Sequence, residues 1–276
     1  MLKIVGENIK RARIMRKCSI AELSFRTNLS KYKIKQFEAG KTFQSLDDLY
    51  KISTALNVSL DFLFDRFEET TIVKLIQRKM PKKDRLAAIE MARYASRGPI
   101  SLLKQFNMDI FEPIPCRKLD TSEACAIGKL IAQEWSDGSS LSLVLEKKGI
   151  VLVQIPSETS QFHGLFMVIE GVPVIVLNKT RNSNREMIED ISHELGYAIF
   201  LKQKFDDREE DFCDSFAEGF SEEFIKINGL NIGVLDFLER KTRDAWIEEM
   251  ITTSRAAELL EVSIDTIRNK IRNEWQ

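Results

Sequence analysis

"SIAELSFRTNLSKYKIKQFEAGK", residues 19–41, reads as two short helices joined by a turn, and the fold of the first part of the chain follows from it. Ser19 stands where a cap is needed, and Glu22 three residues later completes a capping box. "TNLS" has room only for a turn. Ser30 then caps "KYKIKQFEA", and Gly40 ends that helix, because a left-handed backbone costs glycine nothing. At these spacings Leu23, Leu29, Ile34 and Phe37 form a core that fixes the angle between the helices. Ser30, Lys31, Tyr32 and Lys35 are left on the open face of the second helix.

Helices also flank this pair. "ENIKRARIMRK" puts Ile9, Ala12 and Ile14–Met15 on or near one face, while Ser45 opens "SLDDLYKISTAL" and Ser59 opens "SLDFLF". Residues 1–66 hold 13 Lys/Arg and 7 Asp/Glu, which leaves 28 basic and 35 acidic residues of the chain's 41 and 42 for the remainder. A basic head on an acidic body suits a polyanionic partner for the head.

Over residues 7–64 the chain resembles the Xre/Cro-repressor-like helix-turn-helix family. The resemblance lies in "SIAELSFRTNLSKYKIKQFEAGK" and "SLDDLYKISTALNVSLDFLF". It implies double-stranded DNA as partner, with Ser30, Lys31, Tyr32 and Lys35 entering the major groove. Lys33, Lys41 and the cluster Arg11, Arg13, Arg16 and Lys17 are better placed for phosphate, which orients a protein without reading sequence. Ile20 stands where the family often has a phosphate-binding Gln.

Residues 67–118 read as a helical linker. "MPKKDRLAAIEMARYASRGP" is a helix stopped by Gly98-Pro99, and "FEPIPC" is extended. A capped amphipathic helix, "TSEACAIGKLIAQEW", follows, and then another helix, "SLSLVLEKKG", ending at Gly149. The apolar, β-branched runs "IVLVQIP", "GLFMVIE" and "VPVIVLN" read as strands, the last two joined by a hairpin turn at "IEGVP". Helices are expected at about 184–203 and 207–227, and "TSRAAELLEVSIDTIRNKIRN" repeats the helix, turn, helix pattern.

The chemistry concentrates in "EDISHELGYAIF", residues 189–200. In an H-E-x-x-H helix two histidines four apart bind zinc on one face, and the glutamate activates the bound water. Here His193 and Glu194 are present, but Tyr197 replaces the second histidine, and His163 is the other histidine in the chain. A phenol, with its ordinary pKa near 10, is a poor zinc ligand at neutral pH.

From residue 119 onward the chain resembles the ImmA/IrrE family of metallopeptidase-like domains. The matching stretches are "LEKKGIVLVQIP", "FHGLFMVIEGVPVIVLN" and "REMIEDISHELGYAIF", with "LLEVSIDTIRNKI" at the end. The family's third ligand is usually an acid just before a stretch that matches Cys213–Ala217. That places Phe212 at the ligand position, with Glu209, Glu210 and Asp211 nearby. The resemblance therefore implies a degenerate site with no metal and no catalytic residue expected. His193 is the candidate ligand, and Glu194 the general base, if a compensating residue rescues zinc. The acidic run "DDREEDFCDSF" reads as the solvated first turn of a helix.

The expected fold is multidomain and mainly α: an all-α helix-turn-helix bundle (1–66), a helical linker (67–118) and an α+β zincin-like domain (119–276). The last has a sheet of about three strands and ends in a helix-turn-helix-like segment at 253–273. No apolar run reaches the roughly 20 residues needed to span a bilayer. The four cysteines lack C-x-x-C spacing, and the first residues show no signal peptide, which together suit the cytoplasm. The expected function is a sequence-specific, homodimeric transcriptional regulator, either a repressor of a mobile element or the antitoxin of a toxin–antitoxin pair. Its body would be a sensor or a platform for a toxin or repressor. The alternatives are an active zinc endopeptidase cleaving a repressor or itself, and an interaction scaffold that has left DNA.

Overall fold

The computed structural model describes all residues except 43, 66–69, 75–79, 106–109, 115–120, 158–160, 181–182, 203–208, 234–236, 261 and 276. The boundaries expected at 66/67 and 118/119, and the end of "FEPIPC", lie outside the described residues. The chain divides into two compact units, residues 1–69 with 79–94 and residues 70–78 with 95–276.

The first unit is helical throughout its described residues: α1 (Leu2–Met15), α2 (Ile20–Thr27), α3 (Lys31–Glu38), α4 (Leu46–Leu56), α5 (Leu60–Phe64) and the first part of α6 (Lys82–Gln105). Local chemistry sets its boundaries. The hydroxyls of Ser19, Ser30, Ser45 and Ser59 each accept the backbone N–H three residues on, all at 3.1 Å. A cap of this kind contributes about 1 kcal/mol. Leu23, Ile34 and Phe37 are completely buried, and Leu29 nearly so. The buried Asn8 side chain donates to the carbonyls of Phe62, Leu63 and Asp65, tying α1 to the end of α5. Tyr94 of α6 packs edge-on against Phe62 at 5.3 Å between centroids.

The second unit is mainly helical and holds one sheet of four strands in the order β1-β3-β4-β2: β1 (Thr70–Lys74), β2 (Val151–Ile155), β3 (Gly164–Ile169) and β4 (Val172–Asn178). Glu170 and Gly171, both at positive φ (53° and 84°), close the β3–β4 hairpin, as a type I′ turn requires. β2 runs parallel to β4. Every residue of β3 and β4 is buried, so the strands read as continuous apolar runs with no alternation. The mainly α class is as expected, but the sheet has a fourth strand, drawn from the segment read as helical linker. Val73 and Lys74 of β1 pair with Met167 and Phe166 across more than ninety residues of sequence.

Gly98-Pro99 does not stop α6, which continues to Gln105. Ile100, Leu102 and Leu103 are all buried beyond the proline. At about 1.5–3 kcal/mol each, their burial outweighs the ~3 kcal/mol that an internal proline costs.

α7 (Thr121–Trp135), α8 (Leu141–Lys147), α9 (Asn184–Ile199), α10 (Glu209–Asn228), α11 (Phe237–Ile247), α12 (Thr253–Leu259) and α13 (Ile264–Asn273) complete the unit. α7 and α10 meet backbone to backbone. A Cβ on Gly219 would lie 2.1 Å from the Cys125 carbonyl oxygen, and one on Gly128 would lie 2.4 Å from that of Phe216. Phe212, Phe216, Phe220 and Phe224 form the core stripe of α10, with Phe216–Phe220 and Phe220–Phe224 stacked at 5.8 and 5.9 Å.

Candidate functional site

In the first unit α3 lies over α1 and α2, with Ile34 and Phe37 turned inward. Ser30, Lys31, Tyr32 and Lys35 are exposed, Tyr32 at 73%. Lys31, Lys35 and Lys41 are exposed and form no ion pair among the described residues. The other cations that the sequence places at phosphate are engaged within the fold. Lys33 sits 2.9 Å from the buried Asp48 carboxylate and over the Phe37 ring. Burial alone would raise the Asp48 pKa, but hydrogen bonds from Lys33 and Ser45 hold it below the ordinary value. Arg16 donates to the Leu56 and Asn57 carbonyls at 2.8 Å, satisfying the open end of α4. Lys17 pairs with Asp84 at 2.7 Å, Arg11 with Glu90 at 3.8 Å, and Arg13 with Glu38 at 2.6 Å. Phe25, 89% exposed on α2, is a surface aromatic that sequence pattern did not single out.

A tight two-helix core that presents one polar, cationic helix face is the architecture of a DNA-binding helix-turn-helix. Residues 6–69 match the family model for a helix-turn-helix domain. No curated protein and no solved structure matches the chain. The head is a helix-turn-helix module and the chain a DNA-binding regulator. Among the described residues no helix is long and apolar enough to cross a membrane.

In the second unit α9 and α10 enclose a pocket of about 370 Å³ with the start of β3. Helical spacing brings Asp190, His193, Glu194 and Tyr197 to it from α9, and Glu210, Asp214 and Ala217 from α10. Both histidines of the chain line it. The loop carrying His163 is held by Asn178, whose amide donates to the Phe162 carbonyl at 2.9 Å and whose backbone N–H donates to the His163 carbonyl at 2.9 Å.

His193 stands between two carboxylates, with Nδ1 2.9 Å from Asp214 Oδ1 and Nε2 3.7 Å from Glu210 Oε1. Tyr197 donates its hydroxyl to Glu210 Oε2 at 2.9 Å. Burial foremost, then Cys213 and the bond to Glu210, push its phenol far above the ordinary value, so it is no anionic ligand. His193, Glu210 and Asp214 each offer a ligand atom, all within 4.8 Å of one another. Three such donors are the number that holds a zinc ion while leaving a position open. Phe212, at the position the resemblance assigns to the third ligand, packs against Phe200 in the core. Glu210 and Asp214 are the carboxylates that face His193 instead. The signal for them was periodicity: residues 210, 214 and 217 fall on a different face of α10 from the Phe stripe at 212, 216, 220 and 224.

Glu194 is 8% exposed, and its Oε2 has no hydrogen-bond partner among the described residues. A Cβ on residue 164 would lie 3.1 Å from its Oε1 and 3.0 Å from the Val176 carbonyl oxygen, so the glycine leaves room for the Glu194 side chain at the start of β3. Burial first, then the Asp190 and Glu210 carboxylates, raise the Glu194 pKa well above its ordinary range. The folded state therefore holds a proton that the unfolded chain releases. This group's contribution is full below the unfolded pKa and falls away as pH rises toward the folded one. Glu194→Gln removes the loss. It should stabilise the protein at pH 7 by an amount on the order of 1–3 kcal/mol, with the gain vanishing near pH 4, as read by thermal melts across pH. Destabilisation at pH 7 would mean that Glu194 is ionised and engaged.

Proposed function

We propose that the chain is a sequence-specific repressor that binds double-stranded DNA as a homodimer through α3, with a catalytically degenerate metallopeptidase-like body as its sensing or partner-binding module. The exposed Ser30–Lys31–Tyr32–Lys35 face over a buried core carries this reading. In a symmetric dimer two such faces would meet half-sites about one helical turn apart. Such a protein could serve a mobile element or act as the antitoxin of a toxin–antitoxin pair.

His193, Glu210 and Asp214 would hold a divalent cation such as zinc, which when bound would polarise an oxygen ligand. The body lacks the second imidazole of the zinc-peptidase helix, and its buried Glu194 carboxyl favours the protonated form, which suits sensing better than hydrolysis. A second reading, a zinc endopeptidase acting on a repressor or on the chain itself, draws support from the same three donors. Peptidase activity of the zinc-loaded chain, lost in Glu194→Gln, separates the two: the main reading expects none, and the second requires it.

The test of the main reading is the salt dependence of binding to the duplex upstream of the protein's own gene. Lys31 and Lys35 in the groove and Lys41 at the backbone, on two heads, would bring about six cations to the duplex and displace about as many counterions, giving a slope of log affinity against log salt near −5. A slope near zero, or no shift at about 50 mM salt, overturns it.

A further inference from the structure

We infer that α12 and α13 form a second helix-turn-helix that binds double-stranded DNA, outside the matched residues 6–69. Thr252 caps α12 by accepting from the Arg255 N–H at 3.1 Å, and Ser263 caps α13 by accepting from the Thr266 N–H at 3.1 Å. The caps are 11 residues apart, as Ser19 and Ser30 are in the head. Four residues after the first cap, Leu23 and Ala256 are each fully buried, and four after the second, so are Ile34 and Ile267. The next two positions hold a cation and an amide in both, Lys35-Gln36 and Arg268-Asn269. One spacing of caps, buried positions and polar residues thus occurs twice, built from different residues.

α13 is two-faced. Ile267 is buried in a cluster with Leu102, Ala256 and Trp275, and Ile271 packs against it. Asp265, Arg268, Asn269 and Arg272, at the i, i+3, i+4 and i+7 positions of one face, are exposed. Arginine and asparagine are the side chains that grip guanine and adenine edges with two hydrogen bonds. Among the described residues Arg268 pairs at the surface with the 84% exposed carboxylate of Asp265 at 3.1 Å, and such a bridge is worth little and yields readily to a phosphate or base. Residues 252–275 balance four basic against four acidic side chains, where the head carries a surplus of cations. This second DNA-binding face is therefore the weaker one and adds most when the head already holds the duplex nearby.

The test disables the head so that its behaviour cannot decide the result. Full-length protein carrying K31E, Y32A and K35E is compared with the same protein also carrying R268E and R272E, by anisotropy on a random-sequence duplex of about 30 base pairs at about 50 mM salt. We expect the added pair to weaken binding about 10-fold or more with no change in melting temperature. In addition, a photo-crosslinking residue at position 269 should capture the duplex, and lose it with R268E/R272E. Equal affinities, or no binding by the head-disabled protein, together with no crosslink overturn the proposal. A crosslink to a second polypeptide in place of DNA overturns it in favour of a protein interface.

Discussion

Arg13→Ala should unfold the head at temperatures where the wild type is intact, although sequence pattern places Arg13 at a DNA phosphate. Its guanidinium grips Glu38 through two parallel bonds of 2.6 and 2.9 Å and donates a third to the Cys18 carbonyl at 3.0 Å. The hydrogen bond to Glu38 is the largest influence on Arg13 and raises its pKa further against the opposing effect of burial. Both side chains are largely shielded, at 14% and 8% exposure. Truncating the arginine leaves a carboxylate without its counter-charge in a poorly hydrated place, which costs about 3–5 kcal/mol. For a domain of this size that is a fall in melting temperature on the order of 15 °C or more. Chemical denaturation of wild type, R13A and R13A/E38A reads it, and the double variant should recover part of the loss. An R13A protein of unchanged stability that had lost only DNA affinity would show that Arg13 works outside the fold.

How far the sequence discloses this molecule depends on the range of the interaction involved. The four serine caps, the Gly40 stop and the inward positions of Leu23, Leu29, Ile34 and Phe37 rest on neighbours within a turn or two, and all are legible. The β3–β4 hairpin is likewise announced by two residues, Glu170 and Gly171. The partners of Arg13 and Lys33 lie 25 and 15 residues away, so nothing local tells a phosphate-binding cation from an internal ion pair. "TTIVK" is too short for periodicity to distinguish strand from linker, and only β3 gives it a partner. Pro99 signals a stop that buried residues beyond it overrule. At the pocket, His193, Glu194 and Tyr197 are visible as a motif with one residue exchanged. Asp190 and His163 join them only through the packing of α9 beside the start of β3, and Asp214 joins from α10.

The second large effect concerns the face of α3. Because Lys31, Tyr32 and Lys35 are exposed and the lysines unpaired among the described residues, K31A/Y32A/K35A should leave the melting temperature unchanged. Removing one side chain that reads a base edge costs about 1–3 kcal/mol, so three together should reduce discrimination about 100-fold or more. Lys33→Ala would make a poor control, since removing it strands the Asp48 carboxylate. The measurement begins by selecting duplexes from a random library with intact protein. The ratio of dissociation constants for selected and scrambled duplex is then compared between wild type and K31A/Y32A/K35A at one salt concentration. A DNA-reading head predicts a wild-type ratio of about 10³ or more that collapses in the folded variant. A library that yields no enriched sequence, or a ratio the variant leaves unchanged, would contradict it.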